Sequence, residues 1–268
     1  MVTGLMVTGL METGMGVSVT RRSCSILAVL VLLASALTAR NKSAEVPAAN
    51  LVDDGTFAVF QNGQQVATED FTIRQLPSSS LASAHLRLNS GGSMLEQTTQ
   101  LALLPDGSLS RYEWQQLSPA RRSATVEPSD QVLIMHTVAD GKSSDHSFFL
   151  TPTAFILDDY AFSSREVLLW RYLATSCKQR ETGDGCDLIR ARFPVLVPQR
   201  NTSGEVFVEF KGYDDTPLNG RPQHLRHFLI QTDGPEWHLW LDEKHKLLRI
   251  SVPDSNIEVL RQENSPKK

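Results

Sequence analysis

The chain has 268 residues, of which 41% are hydrophobic and 21% charged, and its formal net charge is −4 at pH 7. This length is ample for one well-filled core, and β-rich domains of this size often form a single unit. A mildly acidic chain without a clustered basic stripe argues against nucleic acid as a partner. It argues equally against charge-driven binding to anionic lipid surfaces.

The first recognisable segment is a leader for export. Arg21 and Arg22 form a charged head, residues 26–33 form an apolar run, and residues 34–39 are mostly small. This order is typical of a secretory signal peptide. We therefore expect residues 1–39 to be removed on export and the mature protein to be periplasmic or secreted, with no permanent membrane span after cleavage.

Two alternatives for the leader stay open, and so does its start. The apolar run is shorter than the ~20 residues that cross a bilayer, but a retained leader would act as an anchor. The arginine pair would also suit twin-arginine export. Residues 1–5 recur as residues 6–10, and a start at Met15 gives a more ordinary signal peptide. Residues 1–14 are therefore interpreted as a mis-assigned start.

Three regions are expected behind the leader. Residues 40–52 are mostly polar and indicate a short tether. Residues 53–262 alternate between apolar runs and turn signals, which predicts one β-rich domain. Residues 263–268 are polar and charged, and we expect them to form a disordered tail.

The domain reads as a meander of about a dozen antiparallel strands. The first hairpin turns at Asn62 and Gly63, because both turn positions require a positive φ, which these two residues accept. Short, explicit turns separate the later apolar runs. The predicted strands lie near residues 57–60, 66–73, 84–89, 94–104, 109–117, 132–138, 144–150, 193–198, 205–211, 224–231, 237–241, 247–252 and 257–261.

One helix interrupts the strands. Ser163 and Glu166 have the spacing of a capping box, in which the two side chains satisfy each other's backbone donors. The apolar residues between Val167 and Ala174 cover well over half of the helix circumference. A stripe this broad needs burial on more than one side.

A sheet this long must curl, because strand twist accumulates and exposed edges are a liability. The sequence therefore predicts a mainly β fold: a strongly curved antiparallel sheet, as a half-barrel or open barrel, with one helix packed on its concave face. The opening hairpin at Asn62 and the closing meander through Trp240, Leu247 and Val259 carry a resemblance to a known architecture.

Over most of residues 54–261 the chain resembles the secreted bacterial half-barrel domains, typified by periplasmic carriers that ferry lipoproteins to the outer membrane. The pattern is also similar to a module that precedes some secreted α/β-hydrolase domains. The resemblance implies that acyl chains are held in the concave face under a helical lid. It transfers no individual binding residue.

The candidate ligand-binding residues are chosen from position, as apolar side chains of the helix and one strand tryptophan. The expected ligand is a hydrophobic small molecule or lipid, and plain core packing is the alternative for each side chain. Trp237 and Trp240 are three apart on one strand and should face opposite sides. The candidate residues are Leu168, Leu169, Trp170, Tyr172, Leu173 and Trp240.

Cys177 and Cys186 are the two cysteines that remain after the leader is removed. They flank a polar, glycine-containing loop at residues 178–185. In an oxidising compartment a disulfide between them is the default. A metal or redox role would require a Cys-x-x-Cys spacing or nearby histidines, and the sequence offers neither.

No motif for catalysis or metal binding is found. The sequence lacks the Gly-x-Ser-x-Gly stretch that serine hydrolases require, and His224 and His227 should point to opposite faces of a strand. The acid pairs at residues 53–54, 158–159 and 214–215 are interpreted as turn formers or caps, with a polar rim as the alternative for 158–159.

These observations predict an exported, non-enzymatic binding or carrier protein without a cofactor or metal. The ligand would be lipid-like and would enter a hydrophobic interior by displacement of the helix. An accessory module that docks on an envelope protein is the alternative, and a secreted hydrolase is the second alternative.

Overall fold

The computed structural model describes residues 49–90, 92–180, 183–186, 190–218 and 220–262, which lie within one compact unit, 46–268. They form a single α-helix, α1 (Ser163–Ser176), and seventeen strands. The strands are β1 (Asn50–Gln61), β2 (Gln64–Leu76), β3 (Ser79–Ser90), β4 (Ser93–Leu103), β5 (Leu109–Ser118), β6 (Arg122–Ser129), β7 (Val132–Ala139), β8 (Lys142–Phe148), β9 (Phe155–Ile156), β10 (Cys177–Arg180), β11 (Gly183–Cys186), β12 (Ala191–Val197), β13 (Thr202–Leu218), β14 (Arg221–Gln231), β15 (Trp237–Leu241), β16 (Leu247–Val252) and β17 (Ile257–Gln262).

Fifteen of the strands form one large sheet in the order β8-β7-β6-β5-β4-β3-β2-β1-β17-β16-β15-β14-β13-β12-β9. The first meander consists of β1–β8 and the second of β12–β17, and the two are joined where β1 pairs with β17. The terminal strands of the sheet are β8 and β9, so the sheet stays open. The predicted fold class, a mainly β open half-barrel with one helix, is confirmed. The strand count exceeds the expected dozen, since several short strands, such as the two-residue β9, carry little sequence signal.

The first hairpin turns where the sequence predicts it. Asn62 and Gly63 have φ angles of 53° and 77°, and they connect β1 to β2. Both values lie in the left-handed region that type I′ turns require. The Asp140 and Gly141 turn between β7 and β8 repeats the same device, with φ angles of 52° and 72°.

The concave face of the sheet forms the core. In β2 every second residue from Ala67 to Ile73 is buried, and the residues between them are more exposed. Phe57 of β1 stacks on Phe71 of β2 with a centroid separation of 4.9 Å. Inward residues of strands from both meanders belong to one apolar cluster, which also contains the buried side chains of α1. The helix is therefore part of the core.

The predicted capping box is wrong. Phe162 is the N-cap of α1 and makes no side-chain cap. Instead the carboxylate of Glu69, on β2, accepts hydrogen bonds from the backbone N–H groups of Phe162 and Ser163 at 2.6 and 2.9 Å. A residue 93 positions earlier caps the helix because the sheet curves under its N-terminus.

Three more hydrogen bonds fix α1 to the second meander. Glu166 accepts the backbone N–H of Leu247 at 3.2 Å, and the Trp170 indole N–H donates to the carbonyl of His245 at 2.7 Å. The hydroxyl of Tyr172 accepts the backbone N–H of Phe210 at 3.2 Å. Together with Glu69, these bonds attach the helix to strands on both sides of the β1–β17 seam.

A second, smaller apolar cluster is separate from the core cluster. Leu218, Leu225 and Trp240 form it, with the partly buried Leu248 and Leu260 against them. Trp237 packs instead against the core cluster. The prediction that Trp237 and Trp240 face opposite sides is confirmed.

The interpretation of the acid pairs as loop residues is wrong for two of them. Asp53 lies within β1, and Asp214 and Asp215 lie within β13. Asp53 is buried and binds Lys246 at 2.6 Å and Arg261 at 2.7 Å. Ion pairs between residues that are 193 and 208 positions apart have no local sequence signature, which is why spacing suggested a turn.

The cysteines meet across a two-stranded ladder. β10 and β11 pair antiparallel, with Cys177 directly opposite Cys186. The register suits the predicted disulfide, which stays a prediction. No helix among the described residues has the length and apolar character needed to cross a membrane.

The predicted leader and tail lie outside the described residues. The predicted tether overlaps the fold, since β1 already begins at Asn50.

Candidate functional site

Three of the predicted binding residues are core residues. Leu168, Leu169 and Tyr172 are 0% exposed and belong to the main apolar cluster. Because a cavity large enough for water would leave exposed surface on its walls, no such cavity adjoins these side chains. Their role in this conformation is to hold α1 against the sheet.

Two others lie together at the open end of the helix. Trp170 and Leu173 line an open groove of about 600 Å³, together with Val52 and the exposed Ala174. Lys244 and His245 from the β15–β16 turn and Cys177 complete its wall. We call it the Trp170 groove. Trp240 lies elsewhere, in the second apolar cluster.

A second groove, which the sequence reasoning missed, lies beside the first turn of α1. It has a volume of about 240 Å³, and its apolar lining includes Leu157, Val195, Ile230 and Trp237. Arg165 also lines it, and we call it the Arg165 groove. The only signal in the sequence is an arginine within the first turn of a helix that carries a broad apolar stripe, and this signal alone does not predict a groove.

The Arg165 guanidinium is buried, and no carboxylate of the described residues accepts a hydrogen bond from it. The residue is 3% exposed, and its Nη1 donates to the carbonyl oxygens of Asp158 and Ala161 at 3.0 and 3.1 Å. Its carbon Cζ lies 4.0 Å from the centroid of the Trp237 ring. Burial lowers the pKa of Arg165 to about 10, so the group stays charged at neutral pH.

Asp158 organises the chain just before the helix. One carboxylate oxygen accepts the backbone N–H groups of Tyr160 and Ala161 at 2.7 and 3.0 Å. The other accepts the Tyr112 hydroxyl and, at 2.7 Å, the Gln199 amide. Burial raises the pKa of Asp158 above its usual value. Asp158 therefore forms a turn with the next residues, as one of the two roles expected of it, and it does not cap α1.

Asp159 has a different role from its neighbour. Both of its carboxylate oxygens accept hydrogen bonds from Arg200, from Nε and Nη2, each at 2.7 Å. Asp159 and Arg200 both line the Arg165 groove. The alternative of a polar rim therefore fits Asp159, while turn formation fits Asp158.

Glu69 is a fully buried acid at the helix N-terminus. It is 0% exposed, and burial raises its pKa to about 7, against the opposing effect of the two backbone hydrogen bonds. The negative charge of Asp158 acts in the same direction as burial. The folded protein therefore takes up or releases a proton here near neutral pH.

The histidines are paired with acids and with each other. His227 Nδ1 lies 2.9 Å from Asp214, and its Nε2 lies 2.9 Å from Nδ1 of His238. His224 pairs with Asp215 at 3.0 Å. Within the described ranges no group of three His, Cys, Asp or Glu side chains has a metal-binding arrangement.

Comparison of the chain with protein-family models, with curated proteins and with solved structures finds no match.

Proposed function

We propose that this protein is an exported, non-enzymatic carrier that binds a lipid-like ligand in the Trp170 groove. The observation that supports this most directly is the groove itself: about 600 Å³, open to solvent, with Val52, Trp170, Leu173 and Ala174 on its walls. Ligand sites are typically concave, mostly apolar and ~300–1,000 Å³ in volume.

The ligand is placed at the end of the helix rather than beneath it. Moving α1 aside would break its hydrogen bonds to Glu69, Leu247, His245 and Phe210. Each net hydrogen bond is worth ~1 kcal/mol, and each buried leucine on α1 adds about 2 kcal/mol. Binding at the open end leaves all of these contacts in place.

The size of the groove suits a single acyl chain. At ~30 Å³ for each non-hydrogen atom, 600 Å³ holds about twenty atoms. Each fully buried methylene contributes ~0.8 kcal/mol, so the affinity should rise with the length of chain that the groove covers. Lys244 and His245 lie where the polar head of such a ligand would meet solvent.

Native mass spectrometry of the protein purified from a periplasm tests this proposal. We expect the wild type to carry a co-purifying lipid-like mass, and Ala174→Trp to lose most of it, since an indole at this exposed position fills the groove. Thr175→Trp is the matched control, because Thr175 is exposed on the same turn but does not line the groove.

Equal ligand occupancy in the wild type and both variants would place the ligand elsewhere. Spectra that are empty for the wild type under several growth conditions would contradict the carrier function altogether.

An accessory module that docks on an envelope protein is a second candidate, and the sheet edge favours it. β8 is a terminal strand of the sheet, and the following residue, Phe149, is 94% exposed. An extended segment of a partner can add to such an edge through backbone hydrogen bonds. Cross-linking in the native host, with Phe149→Asp as the variant that should lose the partner, tests this candidate.

A further inference from the structure

The Arg165 groove has the chemistry of a second ligand site. Its floor is apolar, with Leu157, Val195 and Ile230 from the core and Trp237 beside the guanidinium. It shares no lining residue with the Trp170 groove. The two grooves can therefore be tested independently.

The guanidinium has unused donors. Only Nη1 of Arg165 donates to described residues, to two carbonyl oxygens. Nε and Nη2 have no hydrogen-bond acceptor among the described residues, although the residue is 3% exposed. These two nitrogens present parallel N–H bonds, the geometry that a carboxylate accepts in bidentate fashion.

Burial lowers the pKa of Arg165, and the nearby negative charges of Asp158, Asp159 and Glu69 oppose this only in part. The acids that line the groove are otherwise engaged or exposed. Asp159 is bound by Arg200 through both oxygens, and Glu205 lies 3.3 Å from Arg192. Asp233 is exposed at the rim. A buried cation costs free energy unless an anion or several acceptors compensate it. Among the described residues no carboxylate accepts a hydrogen bond from Arg165, so its compensation is incomplete.

We propose that the Arg165 groove binds a small monocarboxylic acid with a short aliphatic tail. The carboxylate receives hydrogen bonds from Nε and Nη2 of Arg165, and the tail lies on Val195, Ile230 and Trp237. At ~30 Å³ for each non-hydrogen atom, the 240 Å³ groove holds about eight atoms. Hexanoate has this size, whereas a long acyl chain does not fit.

Isothermal titration of the full chain with hexanoate and with 1-hexanol tests the proposal, because the two ligands differ in the charged head. We expect hexanoate to bind at least about tenfold more tightly, the ratio typical of a charge-assisted pair. Arg165→Gln should bring hexanoate down to the affinity of hexanol. Equal affinities of the wild type for both ligands, or binding of neither, overturn the proposal.

A second variant keeps the test valid if Arg165→Gln does not fold. Thr202 is exposed at the mouth of the groove, and Thr202→Trp should block hexanoate while leaving the core intact. Wild-type binding of hexanoate by folded Thr202→Trp would also overturn the proposal. None of these results bears on lipid binding in the Trp170 groove, which Ala174→Trp tests separately.

Discussion

Glu69 caps the N-terminus of α1, a role that the sequence analysis gave to residues of the helix itself. Its carboxylate caps α1 through the N–H groups of Phe162 and Ser163, in place of Ser163 and Glu166. A carboxylate at a helix N-terminus also interacts favourably with the helix dipole. Because the group is fully buried, its ionisation is coupled to the stability of the whole fold.

Ionisation of Glu69 should make the protein less stable as the pH rises. Below the unfolded pKa of 4.5 both states are protonated, and the folded pKa is about 7. Between these values the unfolded state releases the proton first, so the free energy of unfolding falls by ~1.4 kcal/mol per pH unit, about 3 kcal/mol in all. Urea unfolding from pH 4.5 to 8 measures this slope.

The variant Glu69→Gln isolates this contribution. It loses one of the two cap bonds, but it cannot ionise, so its stability relative to the wild type should rise by about 3 kcal/mol between pH 4.5 and 8. Glu243→Gln, at an exposed turn position, is the control and should track the wild type. A stability difference between Glu69→Gln and the wild type that does not change with pH would refute the assignment.

Asp53 of β1 binds two residues of the second meander, Lys246 and Arg261. Burial alone would raise its pKa, but hydrogen bonds from Arg261 and Lys246 outweigh burial and hold the pKa below its usual value. We expect Asp53→Asn to destabilise the fold by about 1.5–3 kcal/mol, because Arg261 and Lys246 lose charge-assisted hydrogen bonds. The carboxylate of Glu166, 3.9 Å from Arg261, compensates part of the charge that remains. Chemical unfolding checks this value.

Asp54→Asn is the matched control for Asp53→Asn. Asp54 is the next residue of β1, and it contributes its backbone carbonyl rather than its carboxylate to Arg261. A loss of stability as large in Asp54→Asn as in Asp53→Asn would contradict the assigned role of the Asp53 carboxylate.

At the level of elements, the periodicity of apolar residues predicted the structure better than the spacing of polar residues did. The broad apolar stripe of α1 correctly indicated burial on several sides, and the Asn62 turn correctly fixed the first hairpin. The capping box failed because a long-range acceptor, Glu69, is available and is not visible in local sequence. The same reason explains the misread Asp53.

The β10–β11 ladder gives a prediction about the cysteines. With Cys177 opposite Cys186, a disulfide closes a loop of about ten residues and should stabilise the fold by ~2.5–3 kcal/mol. Chemical unfolding of Cys177→Ser should give a free energy of unfolding lower than that of the wild type by this amount. Reduction should have no further effect on the stability of that variant. Alkylation of both cysteines in unreduced protein prepared from an oxidising compartment would contradict the prediction.

At the level of the whole molecule, the open, curved sheet follows from the strand pattern. Strands such as β2, in which buried and more exposed residues alternate, bury one face of the sheet. The accumulated twist of the strands bends that face around α1. The candidate site was predicted only in part. Trp170 and Leu173 line a groove, whereas Leu168, Leu169 and Tyr172 fill the core. The apolar stripe of α1 can be recognised in the sequence. The groove cannot, because it forms where this stripe extends beyond the strands that cover it.

The most direct test of the carrier function is to locate a bound ligand. A long-chain fatty acid with a diazirine at its tail is irradiated with the full chain, and the labelled peptides are identified by mass spectrometry. We expect labels on Trp170, Leu173 or Ala174 and on the turn at Lys244, the walls of one groove. Labels confined to the cluster of Leu218, Leu225 and Trp240, or no labels at the end of the helix, would contradict this account.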